Sequence, residues 1–134
     1  QRGAKRAVLL PVSAPFHSPL MQPAAERLRG ALAQIRLAAP SIPVLNNVDV
    51  ATEQESARIA DALARQAASP VRWVETVQML ASKGVTHVIE CGPGRVLSGL
   101  TKRIVPSLES FVINDATSLE ETLAAVANAD GIAR

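Results

Sequence analysis

Residues 85–114, VTHVIECGPGRVLSGLTKRIVPSLESFVIN, decide the fold. "VTHVIEC" is rich in β-branched residues and reads as a strand. "GPG" at 92–94 is a tight turn whose glycines can take the positive φ that other residues resist. "RVLSGLTKRI" reads as a short helix and "SFVIN" as the next strand. Strand, helix and strand in this order make a crossover between parallel neighbours, the unit of a layered α/β fold.

The flanking sequence continues the pattern. "SLEETLAAVANA" predicts a closing helix, with Ser118 as N-cap and Glu121 three residues on as a capping box. Upstream, Trp73, Val77 and Leu80 form a helical stripe, and Gly84 stands where a left-handed glycine ends a helix. Ile59, Leu63 and Ala67 mark a helix over 55–68, bounded by Ser69-Pro70. Residues 44–50, VLNNVDV, read as a short strand that turns polar at Asn46-Asn47. The apolar run from Ala7 to Val12 reads as a first strand, followed by a proline-marked turn. Ser18-Pro19 then predicts a helix start, and Leu20, Ala24, Leu28, Ala31, Leu32 and Ile35 supply an apolar stripe.

Composition narrows the function classes. The chain has 134 residues, enough for one domain, and a hydrophobic fraction of 48%. Phe16, Trp73 and Phe111 are the only aromatic residues besides histidine, so the core is built from Ala, Val, Leu and Ile. The net charge is +2 with no long Lys/Arg block, which gives no nucleic-acid signature. No apolar run reaches the ~18 residues of a membrane span, and no signal peptide is visible. The single cysteine allows neither an intrachain disulfide nor a cysteine-based zinc site, and a reducing, cytoplasmic setting is the simpler reading. The N-terminus lacks an initiator Met and enters a strand-like run within seven residues, so the chain is expected to be part of a larger protein.

Functional residues of α/β sheets gather at the carboxyl ends of strands. Four candidates sit there: His17, Asn46-Asn47, Gly92-Pro93-Gly94 and Asn114-Asp115. His17 precedes a helix start, where the helix dipole disfavours the imidazolium and keeps the neutral form that a general base needs. A surface turn histidine without a task is the competing reading. The GPG turn is a poor phosphate cradle, because the third glycine of such a loop would fall at Leu97 and Pro93 lacks an N–H. Cys91 ends an apolar strand and is expected to be a buried, inert thiol, with His87 structural or solvent-facing. Ser98 lacks the first glycine of a nucleophile elbow, and no metal-ligand pattern occurs. The residues alone thus offer a base without a nucleophile.

Four blocks, LPVSAPFHSPLMQPAAERL (10–28), PVLNNVDV (43–50), ALARQAASPVRWVETVQML (62–80) and ECGPGRVLSGLTKRIV (90–105), resemble in order and spacing the C-terminal half of bacterial malonyl-CoA:acyl carrier protein transacylases. The resemblance runs from about Lys5 to Val126. It implies a Ser–His acyltransferase of fatty-acid biosynthesis. The implied fold is the C-terminal part of an α/β-hydrolase-like large subdomain with parallel strands (14–134), preceded by the last strand of a ferredoxin-like small subdomain (1–13).

By the same resemblance, His17 matches the catalytic histidine and Gln66 the position whose main-chain carbonyl accepts from its Nδ1–H. Phe16 matches a position where a bulky ring goes with malonyl over methylmalonyl. Lys5, Arg6, Lys102 and Arg103 are implied at the rim that receives the acidic carrier protein. Malonyl-CoA is implied as a substrate, with no bound cofactor and no metal. The family's GHSLG-type serine, its GQGxQ-type loop and the arginine that pairs with the malonyl carboxylate are expected upstream of residue 1. The missing N-terminal half is therefore an implied partner, and the chain alone is expected to be inactive. Two alternatives stand beside this reading: a malonyl-specific polyketide acyltransferase domain, and a non-catalytic α/β module that binds carrier protein or CoA.

Overall fold

The computed structural model describes residue 3, residues 7–9 and residues 11–129. The chain divides into two compact units, Gln1–Val71 and Arg72–Arg134.

The second unit carries the strand–helix–strand core. Helix α1 to helix α5 and strands β1 and β2 are numbered in chain order. This unit holds α3 (Trp73–Ser82), β1 (His87–Cys91), α4 (Val96–Ile104), β2 (Glu109–Ile113) and α5 (Ala116–Ala129). The strands pair in parallel, with His87 opposite Glu109 and Cys91 opposite Ile113. Helix α4 packs on both strands and on α3, while α5 packs on β2. Val77 and Thr101 are fully buried, and Leu108 and Thr122 nearly so. A sheet covered by small and branched side chains fits a chain almost without aromatics.

Each helix of this unit ends by local chemistry. Gly84 takes φ 82 at the end of α3. Its N–H donates to the Ala81 carbonyl, and the Val85 N–H donates to that of Leu80. Those two bonds make a Schellman motif, with the glycine where the sequence placed it. No cap for α4 is visible in the sequence, yet one exists. The Glu90 carboxylate reaches over the GPG turn and accepts from the N–H groups of Leu97 (3.2 Å) and Ser98 (2.8 Å). Gly92 and Gly94 hold φ 142 and 113 in that turn. An internal carboxylate thus occupies the end of α4 where a phosphate would sit.

At α5 the expected cap is shifted. The helix starts at Ala116, so Asp115, not Ser118, stands at the N-cap. Asp115 Oδ1 accepts from the Ser118 N–H at 2.8 Å, and Ser118 Oγ accepts from the Asp115 N–H at 3.0 Å. The capping box is real, but its members are Asp115 and Ser118.

The first unit is helical. A one-turn 3-10 helix (Pro19–Met21) leads into α1 (Gln22–Leu32), and α2 (Ser56–Ala68) packs against both. Of the strand expected over 7–12, residues 7–9, 11 and 12 carry no ladder pairing, and residue 10 lies outside the described residues. A strand needs a neighbour for its N–H and C=O groups, and the described residues of this unit supply none. The strand expected over 44–50 is absent. There Leu45 makes a single antiparallel bridge to Thr52, and the chain folds back on itself. Asn46 causes this. Its N–H and its Nδ2 both donate to the Ala51 carbonyl at 2.9 Å, and its Oδ1 accepts from the Asp49 N–H at 2.8 Å. The side chain takes the bonds that a strand would share with a neighbour.

The α1 stripe is only lightly covered. Ala25 is the buried residue of this helix, while Leu20, Leu28 and Ile35 are exposed. Helix α2 buries Ala62 and Ala64.

Glu90 is held below the usual carboxylate range, first by the Ser98 N–H and then by that of Leu97. Asp115 is lowered in the same way by the Ser118 N–H and hydroxyl. A carboxyl with a lowered folded pKa stabilises the fold above its unfolded value and loses that contribution as pH falls through the folded value. Urea midpoints should therefore decline as pH drops below about 4. Glu90→Gln should lower the midpoint at pH 7 and flatten that acid decline. An unchanged midpoint would show that the carboxylate does not hold α4.

Candidate functional site

His17 sits in a sharp bend. Its backbone takes φ 57, a left-handed conformation that histidine tolerates better than most residues. Ser18 Oγ donates to the Pro15 carbonyl at 2.7 Å and so closes the turn, rather than capping the helix that follows. Because that helix is a single 3-10 turn, the dipole expected to act on His17 does not begin there. The 3-10 helix rests against α2. The imidazole is thereby brought to the last turn of α2, where Nδ1 lies 2.9 Å from the Gln66 carbonyl oxygen.

The availability of that carbonyl follows from sequence. In a continuing helix, the residue-66 carbonyl would accept from the N–H of residue 70. Residue 70 is proline and has no N–H. Proline also drives its predecessor out of the helical region, and Ser69 is extended at φ −118 and ψ 152. The one main-chain donor left is the Ser69 N–H, at a long 3.5 Å. Gln66 thus offers an orphan acceptor at a helix terminus.

A carbonyl only accepts, so His17 Nδ1 carries the hydrogen and donates it. In the neutral ring the lone pair then lies on Nε2, and the residue is exposed. The ring faces the carboxyl end of α2, whose last turn supplies the acceptor. The side chain of Gln66 has a different setting. Its amide is buried beside a groove of about 340 Å³ lined by Asn46, Asn47, Ile59, Ala62 and Leu63.

The other candidates divide plainly. Phe16 is exposed next to His17. Lys102 and Arg103 are exposed in the last turn of α4, and Lys5 and Arg6 lie outside the described residues. Asn46, Asn114-Asp115 and the GPG turn serve local structure as described above. Cys91, the last residue of β1, is exposed, not buried as expected. His87 stacks on Phe111 with centroids 5.8 Å apart, and its Nδ1 lies 2.7 Å from Thr86 Oγ1. Among the described residues no group of three His, Cys, Asp or Glu is placed to hold a metal. No helix there is long and apolar enough to cross a membrane.

Sequence reasoning missed one cluster. Arg65, next to Gln66, forks onto Asp49 at 2.8 and 2.6 Å and reaches Asp61 at 2.6 Å. Arg29 of α1 binds the other oxygen of Asp61 at 2.8 Å. The Asp61/Arg65 spacing of four was visible in the sequence, but the Asp49 and Arg29 partners come from distant segments.

An exposed imidazole, fixed at Nδ1 by a main-chain acceptor and open at Nε2, is the geometry of a general base. Comparison with known proteins supplies the family. No family model matches the chain. The malonyl CoA-acyl carrier protein transacylase of Salmonella typhimurium is 51% identical over 121 residues, covering 90% of this chain and 39% of that protein. The Haemophilus influenzae protein of the same name is 53% identical over 118 residues, 88% of this chain and 38% of its own length. Among solved structures, an acyl-carrier-protein S-malonyltransferase from Burkholderia pseudomallei matches with TM-score 0.86 and 60% identity, over 91% of this chain and 40% of that one. A malonyl-transacylase in complex with a type II PKS acyl-carrier protein matches with TM-score 0.88 and 50% identity, over 92% and 40%.

The chain has the α/β fold of these malonyltransferases. It belongs to the malonyl CoA-acyl carrier protein transacylase family and matches the C-terminal part of its members, spanning about two fifths of their length.

Pro70→Ala should restore a competing N–H for the Gln66 carbonyl and free Ser69 to turn helical. In ¹⁵N spectra of the histidine ring, the Nδ1–H tautomer of His17 should then lose population to the Nε2–H form. An unchanged tautomer ratio would mean that the proline does not govern this acceptor.

Proposed function

We propose that this chain supplies the general base of a malonyl-CoA:acyl carrier protein transacylase. The observation that carries the reading is the 2.9 Å bond from His17 Nδ1 to the Gln66 carbonyl. It leaves Nε2 as the atom that accepts and returns protons. A serine outside this chain would be the nucleophile. His17 Nε2 takes the serine proton as the oxygen attacks the malonyl thioester carbonyl. The tetrahedral adduct collapses, the C–S bond breaks, and the CoA sulfur leaves with the proton from Nε2. The carrier protein's pantetheine thiol then gives its proton to Nε2 and attacks the malonyl-serine ester. The C–O bond breaks and the serine recovers the proton. Gln66 does the orienting that an Asp does in a protease triad, and the end of the α2 dipole adds to it.

In this reading residues 1–13 end a ferredoxin-like small subdomain and 14–134 belong to the large one. The oxyanion loop and the arginine for the malonyl carboxylate lie in the other part of the protein, which is cytoplasmic. Phe16 crowds a 2-methyl branch at the acyl site. Lys102 and Arg103, with Lys5 and Arg6, attract the acidic carrier protein, which mainly raises the association rate. Malonyl-CoA is a substrate, and no resident cofactor is needed. The similarity to a transacylase solved with a type II PKS acyl-carrier protein favours a second reading, with a polyketide carrier as acceptor.

Malonyl transfer to carrier protein, followed by mass spectrometry, tests the proposal. The 134-residue chain should transfer none. In the full-length protein His17→Ala should lower kcat by about 10²–10⁴-fold or more. Near-normal turnover by that variant would leave the non-catalytic binding module as the better reading. Phe16→Ala should raise the methylmalonyl-to-malonyl ratio of kcat/KM by about tenfold or more, the worth of one added carbon in a pocket. An unmoved ratio would reduce Phe16 to packing under the turn.

A further inference from the structure

The distance between His17 and Gln66 is a distance between helices. His17 leads through the 3-10 helix into α1, and Gln66 stands in the last turn of α2. Packing alone specifies their register weakly. The buried side chains of these two helices are small, Ala25 on α1 and Ala62 and Ala64 on α2, while Leu28 stays exposed. Small side chains lock into holes less firmly than large ones, so they resist a slide along the axis less.

The charged groups are arranged to resist such a slide. Asp61 accepts from Arg65 on its own helix and from Arg29 of α1, one guanidinium on each oxygen. Arg65 also forks onto Asp49 of the 45–52 loop. Two arginines and two aspartates form a chain of ion pairs, Arg29–Asp61–Arg65–Asp49, joining α1, α2 and that loop. The loop is itself strained: Val50, β-branched and buried, takes φ 56. The quartet is part exposed, which limits each pair's contribution, but a bidentate fork inside a network is the case where such pairs retain directional force. Asp61 is held below its ordinary pKa by Arg29 and Arg65, as a shared acceptor should be.

We infer that Arg65 is a positioning residue, whose fork onto Asp49 and Asp61 sets the α1–α2 register and so presents the Gln66 carbonyl to His17. Adjacent residues of α2 thereby hold the two bends of this unit in which a described residue other than glycine takes positive φ, His17 and Val50. Gln66 holds that at His17, and Arg65 holds the loop containing Val50. The inference rests on the reading of His17 as the base, but its physical content is the geometry of the ring.

The test is Arg65→Lys in the full-length protein, with ¹⁵N-labelled histidine. Lysine keeps the charge and loses the fork. The dispersed amide spectrum should persist, while His17 loses its majority Nδ1–H tautomer and His87 does not change. Asp49→Asn and Asp61→Asn should move His17 in the same direction. An unchanged tautomer in folded Arg65→Lys would overturn the inference. If Arg65→Lys does not fold, the two Asn variants decide by the same readout. Collapse of all three would also overturn it, because the quartet would then support the fold and not the register. This outcome is separate from the function. Retained transfer in full-length His17→Ala removes the base and leaves the Arg65 coupling as measured. An unmoved tautomer in Arg65→Lys removes the coupling and leaves the base.

Discussion

The first unit depends on one unclaimed hydrogen-bond acceptor. Helix α2 ends because Pro70 can neither donate nor let Ser69 continue the helix. The Gln66 carbonyl is left at the terminus with only a 3.5 Å contact from Ser69. Buried or half-buried carbonyls are rarely left so, and here an imidazole from 49 residues earlier fills the vacancy. A main-chain oxygen is a good orienting partner because it cannot rotate away and cannot be protonated near neutral pH.

The same economy governs the second unit with opposite sign. Two helix N-termini lie beside sheet ends, where α/β proteins often bind anions. Both are filled from within, α4 by Glu90 and α5 by the Asp115–Ser118 pair. Closing these termini with internal carboxylates removes the phosphate-binding reading of the GPG turn for a physical reason. The glycines remain necessary, since the chain turns there at φ 142 and 113 so that Glu90 can reach past them.

Charge in the first unit is spent on direction more than on net attraction. The Arg29–Asp61–Arg65–Asp49 quartet is neutral as a whole, so it projects little field toward the imidazole. What it supplies is angle and register among α1, α2 and the 45–52 loop.

The sequence by itself determined what is local. The period of apolar residues placed α2, α3 and α4 within a residue or two, Gly84 marked the end of α3, and two parallel strands came from β-branched runs flanking one short helix. It also contained, in Pro70, the reason that a carbonyl four residues earlier is free. It misread 44–50 as a strand, because Asn46 satisfies its own loop instead of a neighbouring strand. Only the tertiary structure decided that His17, Gln66, Arg65, Asp49 and Arg29 meet. Their contacts span 16 to 49 residues, and no local spacing encodes which distant acceptor a side chain will find.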